Sequence, residues 1–241
     1  MKRWFALFPL VMSLGVGQPI LAAGCPAPDP FVIADDALPA TKAAIKKQTL
    51  TIVALGGAAT LGAPAHGTEF TYPSRIAARL TAALPGLTVK VVVHAVGRQS
   101  DTDVYKTLDK DLAADRPALV VWGPGGSAAG RGVDLDTFIG NVTDTVDKIR
   151  ASGADLILMT LQYAPSVARV VNLAPYRTAV IRAGDIANVP VMDRYELMRS
   201  WSDNGFLDLD ATGGEERINV ARKLYDCMAE ILTQGIVDAV R

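Results

Sequence analysis

The chain has 241 residues, half of them apolar and a fifth charged, with 24 basic side chains against 25 acidic ones. This is the composition of a globular protein with a full-sized core, and its near-balanced charge argues against a nucleic-acid-binding surface. Two cysteines and two histidines leave little material for a metal cluster.

Residues 1–24 read as an export leader. Lys2 and Arg3 supply the positive start, an apolar run follows to about residue 16, and Ala22-Ala23-Gly24 offers small residues for cleavage. The run is short and broken by Pro9 and Pro19, which disfavours the alternative of an uncleaved anchor and leaves no membrane span after cleavage. Removing it takes the balance from 24 against 25 to 22 against 25, a net charge of −3. A periplasmic or secreted location follows. There, Cys25 and Cys227 are expected to form a disulfide between the N-terminal arm and the last helix. The competing reading is a lipoprotein anchored at Cys25, since Leu-Ala-Ala-Gly-Cys is similar to a lipid-attachment signal, although Ala22 holds the place where that signal has leucine.

Residues 25–49 form a Pro- and Ala-rich arm, expected to lie across the surface of one domain spanning 50–241. Residues 50–55 are a short apolar run rich in β-formers, the mark of a strand buried on both faces, and Gly56 and Gly57 end it. A Gly/Pro-rich loop leads to a helix over 72–84, with Ile76, Leu80 and Leu84 at intervals of four, stopped by Pro85-Gly86. A valine-rich strand over 88–94, a helix over 101–114 and a strand over 118–122 follow. After a glycine-rich loop come a helix over 136–151, a strand over 156–159, a helix over 173–187 and a short strand over 189–192. A loop around 201–210 precedes a long final helix over 214–239. Strands alternating with helices imply an α/β fold: a three-layer α/β/α sandwich on a parallel sheet of about five strands, flavodoxin-like in order.

Neither glycine-rich stretch is a nucleotide site. Gly56-Gly57-Ala58 lacks dinucleotide spacing, and the loop 123–132 has no Gly-Lys-Ser/Thr. No cofactor is expected. His94 reads as a hydrogen-bonded structural residue, and His66 sits in a Gly/Pro loop that could overhang a crevice at the strand ends.

Four blocks, in order, carry a resemblance. They are Gly56-Gly57-Ala58-Ala59-Thr60 after the first strand, Val96-Gly97-Arg98-Gln99, Trp122-Gly123-Pro124-Gly125-Gly126-Ser127, and Asp208-Leu209-Asp210-Ala211 before the last helix. Together they resemble the SGNH (GDSL-like) hydrolases over roughly residues 25–240. Leu161-Gln162-Tyr163-Ala164-Pro165 and Arg194-Tyr195-Glu196-Leu197-Met198 resemble stretches of an exported bacterial branch. The resemblance implies an esterase fold, with Gly57, Gly97 and Ser127 around an oxyanion pocket. It also implies that Ala58 stands where the nucleophilic serine would be and Ala211 where the histidine base would be. Asp208 remains as a vestige of the orienting aspartate. Ser127 replaces an asparagine, and Gly123 stands where the third block has glutamine.

A serine hydrolase needs an oxygen nucleophile, a base and oxyanion donors, and losing nucleophile and base together abolishes their joint action. The expected protein is a catalytically inactive pseudo-esterase keeping its crevice as a binding site, with an acylated glycan or an envelope protein as partner. The first alternative is a working esterase with a non-standard constellation, for which His66 is the one substitute base at hand. The second is a relic that binds nothing. Thr60 reads as a structural residue. The acidic cluster Asp208, Asp210, Glu215 and Glu216 reads as complementing the last helix's dipole, with cation or sugar binding as the sharper reading. The small side chains at the crevice predict an open pocket unless Arg98, Gln99 or Arg131 fills it.

Overall fold

The structure is a computed structural model that describes residues 24–95, 97 and 101–241. The leader (Gly24 apart), Arg98 and Gln99 lie outside the described residues. No described helix is long and apolar enough to cross a membrane.

Five parallel strands form one sheet in the order β2-β1-β3-β4-β5: β1 (Thr49–Gly56), β2 (Thr88–Ala95), β3 (Leu119–Trp122), β4 (Asp155–Met159) and β5 (Val191–Met192). Period-two alternation sorts their side chains between two cores. Ile52, Leu119, Val121, Ile157 and Met159 face one layer of helices, while Val53, Leu55, Val120, Trp122, Leu156 and Leu158 face the other. The first layer contains α3 (Tyr72–Ala83), α9 (Arg194–Asp203) and α10 (Gly214–Val240). The second contains α4 (Asp101–Asp115), α6 (Leu135–Ala151) and α8 (Ala174–Ala187). The predicted three-layer α/β/α sandwich is the observed architecture.

Differences from the sequence reading are local. The arm over 25–49 is not wholly irregular, because it ends in helix α1 (Pro39–Lys46), opened by a proline at its first turn. The buried Asp155 carboxylate accepts hydrogen bonds from the Thr41 amide (2.6 Å) and the Ala40 amide (3.3 Å), satisfying donors that α1 cannot satisfy itself. Asp155→Ala is therefore expected to cost about 1–2 kcal/mol in urea denaturation, the value of a lost cap, with the crevice unchanged. The loop expected around 201–210 begins as the last turn of α9. Its missed signal is Asp193 followed three residues later by Glu196: the Asp193 carboxylate accepts from the Glu196 amide (3.3 Å) as the helix cap. The fifth strand is shorter than the predicted 189–192. Three further helices, α2 (Ala58–Leu61), α5 (Gly126–Gly130) and α7 (Pro165–Ala168), are single turns in the loops after β1, β3 and β4.

The arm is tied down at several points. Cys25 is disulfide-bonded to Cys227 on α10, so its sulfur is not available to the lipid thioether of the competing reading. The Cys25 amide donates to Glu230 (2.9 Å), and the Trp201 indole donates to the Pro26 carbonyl (2.6 Å). Phe31 packs over Gly235, where a β-carbon would stand only 2.8 Å from its ring.

Candidate functional site

In a parallel sheet the crevice opens beyond the carboxyl ends of the strands. Here a cavity of about 310 Å³ lies there, walled by the loops that leave β1, β3 and β4. Its floor and near walls are small: Gly56, Gly57, Ala58 and Ala59 from one side, Gly123, Gly125, Gly126 and Ser127 from another. Leu161, Ala164, Val167 and Leu173 supply apolar lining, with Gln162 between them in sequence, and Val104 of α4 and Arg194 of α9 complete it.

Local geometry accounts for the glycines. A β-carbon on Gly56 would stand 2.2 Å from the Thr60 hydroxyl, so the chain leaves β1 through a residue with no side chain. Thr60 is buried, and its hydroxyl lies 3.4 Å from the Tyr72 phenol, the structural role expected of it. Gly125 has φ +97, and a β-carbon there would meet the Phe138 ring at 3.3 Å.

Of the residues singled out in the sequence, Gly57, Ala58 and Ser127 come together at the cavity. Ala58 is exposed to it at the first position of α2. Gly97 is an exposed turn residue and does not line the cavity. Neither do Asp208 and Ala211. The Asp208 carboxylate accepts the Asp210 amide (3.0 Å) in a turn of its own, and Asp210 pairs with Arg169 (3.2 Å). Glu215 and Glu216 occupy the first turn of α10, exposed. His66 is exposed and outside the cavity lining; its carbonyl accepts from Arg222 (3.3 Å). His94 places Nε2 2.7 Å from Asp115, and this hydrogen bond holds the Asp115 carboxyl below its ordinary value. Arg131 does not line the cavity.

The residue that sequence reading did not single out as a site residue is Arg194. It is 5% exposed, and its Nε donates to the Thr160 carbonyl (3.0 Å). A β-carbon on Gly123 would stand 3.4 Å from its Nη2, so the guanidinium borders the cavity beside that glycine. Burial lowers its pKa, and the nearby phenols of Tyr72 and Tyr225 act the other way only as phenolates. Burial also pushes both phenols up, Tyr225 to about 12, so at neutral pH neither carries a negative charge that could offset the guanidinium.

The preceding residue holds α9 in place. Asp193 accepts from Arg177 and from the Thr160 hydroxyl (2.8 Å). Burial alone would push the Asp193 carboxyl up, but these hydrogen bonds outweigh it and hold it below the ordinary carboxylate value. A carboxyl depressed in the folded state stabilises above its unfolded pKa, and that stabilisation is lost as pH falls through the folded value. Thermal melts of Asp193→Asn are thus expected to fall below those of the natural chain at pH 6. The two curves should begin to draw together below about pH 4 and meet only below the depressed folded value, where the natural carboxylate is protonated in turn.

The sequence profile of the Non-GDSL lipase-like family matches residues 24–241. A putative lipolytic protein of the G-D-S-L family from Desulfitobacterium hafniense DCB-2 superposes with a TM-score of 0.59 at 22% identity, covering 77% of this chain and 99% of that one. A lipase/acylhydrolase from Enterococcus faecalis superposes at 0.61 and 22% identity, covering 78% and 95%. Axe2, an acetylxylan esterase from Geobacillus stearothermophilus, superposes at 0.62 and 16% identity, covering 78% and 94%. No curated protein sequence matches the chain.

Proposed function

Because the chain belongs to the Non-GDSL lipase-like family, within the SGNH-like hydrolases, we propose that it is an exported, catalytically inactive pseudo-esterase that keeps the crevice as a binding site for an acyl-bearing ligand, acylated glycans among them. The observation that carries this reading is Ala58. A methyl group stands at the turn after β1, exposed to a cavity of about 310 Å³ whose described lining residues include no histidine. A methyl cannot attack a carbonyl, and Ser127 has no imidazole beside it to take its proton. The leader-like residues 1–24 and the disulfide support export to an oxidising compartment, with the mature domain following the leader.

An acetylated xylo-oligosaccharide offered to residues 25–241 is expected to raise the melting temperature without being deacetylated, since a ligand that binds only the folded state stabilises it. Ala58→Trp, which fills the cavity from an exposed position, is expected to remove that shift and leave the unliganded melt nearly unchanged. Release of acetate would support the active-esterase alternative. No shift with any acyl ligand would leave an envelope protein or no ligand at all.

A further inference from the structure

Arg194 is a buried cation. Among the described residues no carboxylate stands within ion-pair distance of it, and its sequence neighbours Asp193 and Glu196 are engaged by Arg177 and Arg199. Its one hydrogen bond among the described residues leaves from Nε, to the Thr160 carbonyl. A guanidinium stays charged at any working pH, and a buried charge without a partner is costly. The side chain is held so that its terminal nitrogens border the cavity next to Gly123. In the resembling motif that position is a glutamine; the glycine here, just after β3, puts no side chain beside the guanidinium.

We infer that the crevice takes a small monocarboxylate, an ionised acyl acid whose carboxylate pairs with Arg194 and whose apolar body lies against Leu161, Val167 and Leu173. The inference rests on the reading of the crevice as a binding site and names the chemistry of its ligand. The planar fork of a guanidinium matches a carboxylate in two parallel hydrogen bonds. Arg194 is the only cation among the lining residues described, which suits a monoanion rather than a phosphate dianion. Leu161, Ala164, Val167 and Leu173 supply an apolar wall, and about 310 Å³ lies at the lower end of small-molecule sites. An ester of the same acid fills the same space but gives Arg194 no charge, so the free acid is preferred.

Isothermal titration of the disulfide-bonded protein, residues 25–241, with hexanoate and with methyl hexanoate at pH 7 and low salt tests this. Hexanoate is expected to bind roughly 10–100-fold more tightly than the ester, the increment of hydrogen bonds to a charged group. Gly123→Gln places an amide beside Nη2 and is expected to remove most of the preference while the protein stays folded. Arg194→Met, checked by circular dichroism, should equalise acid and ester. Ester binding as tight as acid binding would overturn the inference and leave the binding reading standing. Hexanoate binding unchanged in both variants would overturn it as well. Hydrolysis of the ester would instead defeat the binding reading, and binding of neither probe would overturn both.

Discussion

Reducing the Cys25–Cys227 disulfide, or replacing Cys227 by serine, should lower the melting temperature by roughly 5–15 °C. The bond closes a loop across a sequence separation of 202 residues, almost the whole domain. Loop-closure entropy alone would assign such a bridge about 5 kcal/mol, and measured bridges deliver about 2–4 kcal/mol. In a domain of this size each kcal/mol moves the midpoint by about 2–4 °C. The bond also fixes the arm, so the Cys25 amide's bond to Glu230 and the packing of Phe31 over Gly235 should loosen with it. Neither cysteine lines the crevice, so ligand affinity measured well below both melting temperatures should not change. Differential scanning calorimetry with and without reductant reads the shift. A midpoint that moves by less than 2 °C would mean that the arm is held by its packing alone.

The second large effect is expected at Trp201. Its ring is 1% exposed, packs on α9 among Leu197, Met198 and Leu207, and donates to the Pro26 carbonyl. Truncation to alanine removes the largest apolar body on that helix and opens a cavity, at a cost of about 3–5 kcal/mol. Trp201→Phe keeps most of the volume and loses the hydrogen bond, so it should cost about 1–2 kcal/mol. Trp201 and the disulfide hold the same arm, so Trp201→Ala combined with Cys227→Ser is expected to cost less than the two separate losses added together. Urea unfolding of the four chains checks this, and strict additivity would mean that the arm does not couple them.

The centre of the sheet was legible because its strands are buried. β1, β3 and β4 are built on short, nearly continuous apolar runs, and such runs announce themselves without periodicity. The long helices α6, α8 and α10 were legible from their spacing and their breakers. α9 was not, because Leu197, Met198 and Trp201 sit among four charged side chains over 194–203, and the cap at Asp193 is a weaker signal than a stripe. Single-turn helices such as α2 and α5 are too short to carry a period at all. At the site, Gly57, Ala58 and Ser127 could be placed because strand-to-loop junctions in a parallel sheet meet at one edge. Arg194 could not: nothing in Met192-Asp193-Arg194-Tyr195 says that this arginine is buried, and its burial comes from Thr160 and from α9's packing against the sheet. Asp208 and Ala211 were expected at the crevice, but the Asp208 side chain closes a local turn instead.

The most direct measurement is hydrolysis of p-nitrophenyl acetate by residues 25–241 with the disulfide formed. The predicted result is a rate indistinguishable from that of the Ala58→Trp variant, whose crevice is filled. Saturable turnover that scales with protein and disappears in Ser127→Ala or His66→Ala would contradict the account and make the chain a working esterase.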